Sequence, residues 1–175
     1  MNEYDEPDDN YGAVSRLLES PPEAINWNLL DAATANREWH DLDQWVIWLK
    51  TTFGLPPSIV PPYWHRHDEL VWELSALHTH WLSCYHESAS PSAPIAWMRD
   101  FADARHRLRD WVSICGTRLD RDRPTRQTTW PGEKSEASGG DVSIEDRRSD
   151  FEAFVRTDLR RRQEAEAAAQ GALLA

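Results

Sequence analysis

The stretch from His67 to Cys84, HDELVWELSALHTHWLSC, carries the clearest amphipathic pattern in this chain. Its apolar positions recur at alternating steps of three and four residues, the spacing that places side chains on one face of an α-helix. The pattern predicts a helix that begins near Pro62, where a first-turn proline is tolerated, and ends at about Tyr85 or His86. The stripe consists of His67, Leu70, Leu74, Leu77, Trp81 and Cys84.

Two similar stripes lie on either side of this helix. The first predicts a helix from about Arg37 to Phe53, followed by Gly54 as a left-handed C-cap and by a proline pair that prevents continuation. The second predicts a helix from near Ile95 that ends at Gly116. Their apolar positions are Leu42, Trp45, Val46, Leu49 and Phe53 in the first, and Trp97, Phe101, Ala104, Leu108, Trp111 and Cys115 in the second.

Tryptophan marks the predicted core. Eight of the ten tryptophans of this 175-residue chain lie between Trp39 and Trp111. Three amphipathic helices joined by short proline-rich turns favour a compact bundle over residues 37–118. We expect Leu70, Leu74, Leu77 and Trp81 to be nearly fully buried against Trp45, Leu49, Phe101 and Leu108.

The segments outside the bundle are more polar. Residues 1–36 form an acidic arm, disordered over about 1–12, and then an irregular strap. Residues 119–142 have the polar, Gly- and Ser-containing composition of a flexible linker. Residues 143–170 predict a further helix. The expected fold is therefore all-α: a small three-helix bundle core, an additional C-terminal helix and a disordered acidic N-terminal arm.

The charge limits the classes of partner. The formal net charge of −11 argues against general affinity for nucleic acids or anionic membranes, which are polyanions. No hydrophobic run has the character of a signal peptide or the length of a membrane span, so the chain reads as cytoplasmic. Cys84 and Cys115 form no CxxC pair and lie on apolar stripes, which predicts buried free thiols.

Five histidines lie on or beside the second helix, among them the HxH pairs His65/His67 and His78/His80. Residues two apart on a helix point in nearly opposite directions, so neither pair can chelate a metal. Cys84 follows His80 at chelating spacing but faces the core stripe. We expect His67 and His78 to be core-edge residues bonded to neighbours and the others to be solvated, with no bound metal and no other cofactor.

Acidic pairs leave an enzymatic alternative open. Glu69 and Glu73 are one helical turn apart, and Asp100 and Asp103 are three residues apart on the next helix. Clustered carboxylates of this kind bind magnesium in all-α nucleotide pyrophosphohydrolases. The fuller acidic pattern of those enzymes is missing, and charged residues at these spacings usually form a solvated helix face. We assign no catalytic residue.

Residues 99–126 form a basic strip, with eight arginines against five aspartates. Such a strip can bind phosphate groups, which makes a DNA-associated accessory protein a second alternative. Local pairing between these arginines and their neighbouring aspartates is the competing interpretation. The candidate phosphate-binding residues are Arg99, Arg105, Arg107, Arg109, Arg118, Arg121 and Arg123.

Apolar residues in the polar flanks favour a protein partner. Trp130 stands alone in the linker, and Phe151, Phe154 and Val155 form the short apolar face of the last helix. These four residues are candidate partner-binding residues, although Trp130 and the helix face can equally fold back onto this chain's core. The leading interpretation is a non-enzymatic protein-interaction module.

Three sequence blocks resemble an actinobacterial family, domain of unknown function family 4913. They are QWVIWLKTTFGL at 44–55, IVPPYWHRHDELVWELSALHTHWLSCY at 59–85 and APIAWMRDFADARHRLRDW at 93–111. The resemblance covers about residues 42–115 and implies an origin in a phage, plasmid or conjugative element, without implying a mechanism. Met98 stands where the family often has a histidine. The matching positions are Trp45, Trp48, Pro62, Trp64, His67, Glu73, Leu74, Leu77, Trp81, Trp97, Phe101 and Leu108.

Overall fold

A computed structural model of the chain describes residues 22–125, 128–134 and 140–173. It confirms the predicted all-α class. The predicted disordered arm, residues 1–12, lies outside the described residues. Within the described ranges, no helix combines the length and the apolarity that crossing a membrane requires.

The helices are α1 (Ala32–Phe53), α2 (Asp68–Cys84), α3 (Ala93–Cys115) and α4 (Arg147–Leu173), with a 3-10 turn at Trp64–Arg66 and two short strands, β1 (Arg121–Asp122) and β2 (Val142–Ser143).

Helix α1 begins earlier than its apolar stripe predicts. The Asp31 carboxylate accepts a hydrogen bond of 2.6 Å from the Thr34 backbone N–H and thereby caps the first turn. At the other end, Gly54 adopts the left-handed conformation (φ 59°) and its N–H bonds to the Lys50 carbonyl, which confirms the predicted cap. The cap at Asp31 moves the helix start from Arg37 to Ala32.

Helix α2 begins at Asp68, so the predicted start near Pro62 is wrong. The preceding Trp64–Arg66 turn is a 3-10 helix, and His67 adopts an extended conformation (φ −122°, ψ 108°) that separates it from α2. Leu70, Leu74 and Leu77 are buried as predicted. Trp81 is only half-buried because it lies at the edge of an aromatic row, 5.1 Å from the Trp48 ring centre.

Helix α3 packs along α2 and ends where the sequence predicts. Its N-terminus carries a proline in the first turn, and Gly116 (φ 73°) forms the left-handed C-cap. The indole N–H of Trp97 donates to the Leu77 carbonyl at 3.3 Å, which links the two helices through a fully buried ring. The buried face of α3 comprises Trp97, Phe101, Ala104, Leu108, Val112 and Cys115.

Helix α4 and the strap, residues 22–31, complete the core. Phe151 and Val155 are each only 2% exposed, and the Phe151 ring meets Trp39 of α1 edge-on at 6.4 Å. Trp27 of the strap also packs against Trp39, with ring centres 4.4 Å apart. The aromatic core therefore extends beyond the predicted range of 37–118 in both directions.

The segment 119–142 is paired and packed at its two ends, where composition predicts a flexible linker. Strands β1 and β2 pair antiparallel, with Arg121 opposite Ser143. Asp122 in β1 is 3% exposed. Directly after β2, the Ile144 carbonyl accepts a 2.7 Å hydrogen bond from the Tyr63 hydroxyl. These contacts bring a polar stretch against the start of α2.

Candidate functional site

A cleft of about 590 Å³ opens where the strap, α1, α2 and α4 meet, and we call it the aromatic cleft. Trp27 and Trp39 are buried at its base, and Phe154 is partly buried beside them. Leu29, 80% exposed, and the half-exposed Trp72 line its opening. A concave surface lined by aromatic rings with a few polar groups has the composition of a binding site.

A hydrogen-bonded frame holds the strap against α4. The Arg162 guanidinium donates from Nη1 to the Trp27 carbonyl at 3.0 Å and to the Leu30 carbonyl at 2.7 Å. Asp158 accepts from Arg162 Nε at 2.7 Å and from the Trp39 indole at 3.0 Å. Burial raises the pKa of Asp158, but these bonds and one from Arg161 outweigh it and hold the pKa below its ordinary value. The walls of the cleft are therefore fixed by charged groups that already have partners.

The cleft carries an excess of negative charge. Four carboxylates line it, against the two guanidinium groups of Arg161 and Arg162. Two of the acids are engaged by backbone, since Asp31 caps α1 and Glu166 accepts from the Ala32 N–H at 2.6 Å. Asp68, at the start of α2, has no hydrogen-bond or ion-pair partner in the described part of the chain. This arrangement favours a cationic group on whatever enters the cleft.

His65 lies in an aromatic setting next to this region. It is 1% exposed, its ring meets Phe151 and Phe154 edge-on, and Nε2 donates to Asp150 Oδ2 at 2.8 Å. Its Nδ1 is buried without a partner among the described residues. Burial is the main reason that its pKa falls to about 4, so the ring is neutral at neutral pH. The prediction of a solvated His65 is wrong because α4 covers it.

His67 lies two residues away in a polar setting. Its Nε2 donates to Asp122 Oδ1 at 2.7 Å, and its Nδ1 is 3.0 Å from the Thr125 hydroxyl, which donates its own proton to Glu69 at 2.6 Å. Since the Thr125 proton is committed to Glu69, Nδ1 must donate as well, and the ring is an imidazolium. Burial lowers the pKa of His67, but the hydrogen bond to Asp122 and the nearby Cys115 sulfur outweigh it and raise the pKa to about 9 overall.

Arg66 connects these two histidines through their acids. Its guanidinium pairs with both oxygens of Asp150 and lies 3.6 Å from Asp122 Oδ2. We call His65, Arg66, His67, Asp122 and Asp150 the histidine junction. Because the chain does not continue as one α-helix here, the two histidines contact different elements, α4 for His65 and β1 for His67. The HxH argument assumed one continuous helix, which the structure does not have here.

The candidate partner-binding residues of α4 and the linker have separate positions. Phe151 and Val155 are buried in this chain's own core, the second of the two positions that the sequence left open, because α4 docks on α1 and covers them. Phe154 lies in the aromatic cleft. Trp130 is 70% exposed and is not among the residues that line the cleft.

The arginines of the basic strip are partly neutralised. Arg107 forms a bidentate ion pair with Glu73, with a shortest distance of 2.7 Å. Arg99 pairs with Asp100 at 3.2 Å, and Arg123 pairs with Asp141 at 2.6 Å. Arg105 lies over the Phe101 ring at 5.9 Å. The remaining three candidates form no salt bridge within the described ranges: Arg109, Arg118 and Arg121. The strip therefore presents less free positive charge than its composition indicates.

Three of the four acids in the pairs of α2 and α3 also have partners. Glu73 is held by Arg107, Glu69 by Thr125, and Asp100 accepts from His80 Nε2 at 3.0 Å. These three carboxylates bind an imidazole, a guanidinium and a hydroxyl of the protein, and the fourth, Asp103, lies near Arg107. The Cys84 sulfur lies 3.6 Å from His80 Nδ1, as their four-residue spacing predicts.

Sequence reasoning missed most residues of the cleft and of the histidine junction. Trp27 and Trp72 fall outside the best apolar stripes, and Asp122 and Asp150 lie in polar segments. Asp158 and Arg162 carried the one available signal, an acid and a base four residues apart on the polar side of a helix that has an apolar face. Comparison with protein-family models, with curated proteins and with solved structures finds no match for this chain.

Proposed function

We propose that this chain is a non-enzymatic protein-interaction module that binds its partner at the aromatic cleft. The observation that carries the proposal is the cleft itself, with the rings of Trp27, Trp39, Trp72 and Phe154 around one concave surface. Tryptophan and other aromatic residues are enriched at the centres of protein interfaces because they offer a large, rigid apolar area. The frame built by Asp158 and Arg162 keeps that surface in place before a partner arrives.

The proposed partner is a protein segment with a large apolar side chain next to a lysine or arginine. The apolar group matches the ring-lined base of the cleft. The basic group matches the carboxylate excess at its edge, where Asp68 has no partner within the described residues. The net charge of −11 on the whole chain adds a long-range attraction for the same kind of segment.

The shape of the cleft favours a peptide over a small metabolite. Sites for small molecules enclose most of the ligand surface. Here two of the lining residues reach solvent: Leu29 is mostly exposed and Trp72 is about half-exposed. A continuous chain can lie across such an opening and insert one side chain, in the way that grooves receive anchor residues.

The biological setting that we propose follows the family resemblance: a phage, plasmid or conjugative element of an actinobacterium, acting in the cytoplasm. A protein partner accounts for the surface better than DNA does, since three of the seven candidate arginines already pair with acids. Magnesium-dependent nucleotide hydrolysis has no supporting observation in the cleft, where three of the four carboxylates bind backbone groups or arginines.

Peptide selection on the full-length chain tests the proposal. Short random displayed peptides are selected on the immobilised protein, and the affinity of the enriched sequences is measured by titration calorimetry. We expect them to combine an aromatic or large aliphatic residue with lysine or arginine. Leu29→Lys removes an exposed apolar group and adds a repelling charge, and it should weaken binding by at least about tenfold, which corresponds to about 1.4 kcal/mol.

The matched control is Ile114→Lys, which makes the same change at another exposed aliphatic residue, on α3 and away from the cleft. It should leave the affinity unchanged. The proposal fails if the enriched peptides are acidic, or if the two variants weaken binding equally.

A further inference from the structure

A cluster of metal-ligating side chains lies beside the histidine junction. One ligand atom from each of His67, Glu69 and Cys115 lies within 4.8 Å of the other two. His67 and Glu69 come from the start of α2, and Cys115 is the last residue of α3. We propose that these three side chains bind a Zn²⁺ ion that connects the two helix ends. The proposal is independent of the aromatic cleft and of any partner.

The distances suit one shared ion. Ligand atoms at about 2.0–2.3 Å from zinc lie about 3.3–3.8 Å apart in a tetrahedron. His67 Nδ1 is already 3.9 Å from Glu69 Oε1, and since one ligand atom of each residue lies within 4.8 Å of the others, shifts of about 1 Å bring the three into range. The Thr125 hydroxyl now lies between Nδ1 and Glu69, and it belongs to the irregular segment after β1. Zn²⁺ takes its place without disturbing a helix.

Asp122 supplies the outer support that metal-binding histidines require. Its carboxylate accepts from His67 Nε2 at 2.7 Å, which fixes the ring and leaves Nδ1 directed toward Glu69. A carboxylate behind a zinc-bound histidine is a recurrent arrangement, because it sets the tautomer and raises the basicity of the ligand. Asp122 itself is held in place by Arg66.

The donor set and the burial select zinc. A thiolate, an imidazole and a carboxylate are together typical of Zn²⁺, whereas Mg²⁺ and Ca²⁺ prefer oxygen ligands alone. His67 and Cys115 are each 1% exposed, and the three protein ligands leave the fourth tetrahedral position to a water molecule. The same burial argues against the other use of a cysteine beside a His–Asp pair, as a nucleophile, because no substrate reaches the sulfur.

The charges also balance. Binding requires the Cys115 thiol and the His67 imidazolium each to lose one proton. Two protons leave and one divalent cation enters, so the net charge of the cluster with Glu69, Asp122 and Arg66 does not change. The buried site therefore accepts the ion without gaining a charge that it would have to stabilise.

Metal titration of the reduced, chelator-treated full chain tests the site. We expect one equivalent of Zn²⁺ to bind and to raise the melting temperature. Co²⁺ in the same site should show a sulfur-to-metal charge-transfer absorption. Cys115→Ser should abolish that absorption and weaken zinc binding at least about a hundredfold, and Asp122→Asn should weaken it about 10–100-fold.

Cys84→Ser is the matched control, because Cys84 is also buried and also lies beside a histidine. It should retain one equivalent of zinc and the cobalt absorption. If circular dichroism shows that Cys115→Ser does not fold, Glu69→Gln replaces it, with an expected loss of at least about tenfold for one ligand. Failure of the reduced wild-type chain to bind zinc overturns the proposal, and so does retention of the absorption by Cys115→Ser or its loss in Cys84→Ser.

Discussion

The aromatic region around His65 and the polar region around His67 shift the pKa of a histidine in opposite directions. Phe151 and Phe154 of α4 surround His65, whereas Asp122 and Thr125 from the segment after α3 surround His67. The pKa of His65 falls to about 4 and that of His67 rises to about 9. Two positions along the chain therefore separate a neutral ring from a charged one, because distant segments supply their neighbours.

The difference shows how the fold combines two kinds of stabilisation. The aromatic region removes large apolar areas from water and tolerates a polar atom such as His65 Nδ1 without a partner among the described residues. The polar region buries charges, and each of them has a counterpart: Asp122 with His67, and Asp150 with Arg66. Each region predicts a distinct response to mutation and to pH.

The largest expected change in the free energy of unfolding is in the aromatic region. Phe151→Ala should lower the free energy of unfolding by about 3–5 kcal/mol, because it leaves a cavity between Trp39, Trp64 and His65. Urea unfolding monitored by tryptophan fluorescence measures this loss. The control Trp130→Ala removes a mostly exposed ring and should change stability by less than about 0.5 kcal/mol. Equal effects would mean that α4 does not belong to the core.

His67 should make the metal-free protein less stable as the pH rises. Its pKa is about 9 in the folded state against an ordinary value of 6.5, so its contribution is complete below pH 6.5. Stability is then lost between about pH 6.5 and 9, by up to about 3 kcal/mol. Urea unfolding in a chelator at several pH values should show this slope, and His67→Gln should remove it. A variant that keeps the slope would assign it to another group.

His65 should make the protein less stable as the pH falls, the opposite of the effect of His67. Its folded-state pKa of about 4 lies below the ordinary histidine value of 6.5, so its contribution is complete above pH 6.5 and is lost as the pH falls through about 4. We expect a loss of about 2–3 kcal/mol over that interval. Histidine NMR in the native state should show His65 neutral and His67 charged at pH 6. Two rings that titrate together would remove the distinction between the two regions.

Local patterns were enough to predict the aromatic core. Leu70, Leu74 and Trp97 lie on stripes with helical spacing, and burial follows directly from that spacing. Gly54 and Gly116 were likewise predictable as caps, because a glycine after an apolar stripe suits the left-handed conformation. These features depend only on residues a few positions apart.

The histidine junction was not predictable in this way. Asp122 lies in the predicted flexible linker and Asp150 on the polar side of the predicted last helix, and the position of each depends on partners more than fifty positions away. A buried carboxylate is stable only when such partners are present, and no local pattern reports them. The same reason explains why the aromatic cleft was missed, since its lining comes from four separate segments.

The smallest effect on the free energy of unfolding is expected for the Arg107–Glu73 ion pair, which lies outside both regions. Arg107 binds Glu73 through two nitrogens, but its side chain is 54% exposed, and water screens the attraction. Arg107→Gln should therefore cost at most about 1 kcal/mol, and the loss should shrink in high salt.

Asp150→Asn, in the buried junction, should cost more and depend less on salt, because it leaves Arg66 without its main partner. Unfolding in low and high salt compares the two variants. A loss above about 2 kcal/mol for Arg107→Gln would contradict the comparison. It would show that the basic strip holds α3 to α2, and the strip would then be structural rather than available for binding.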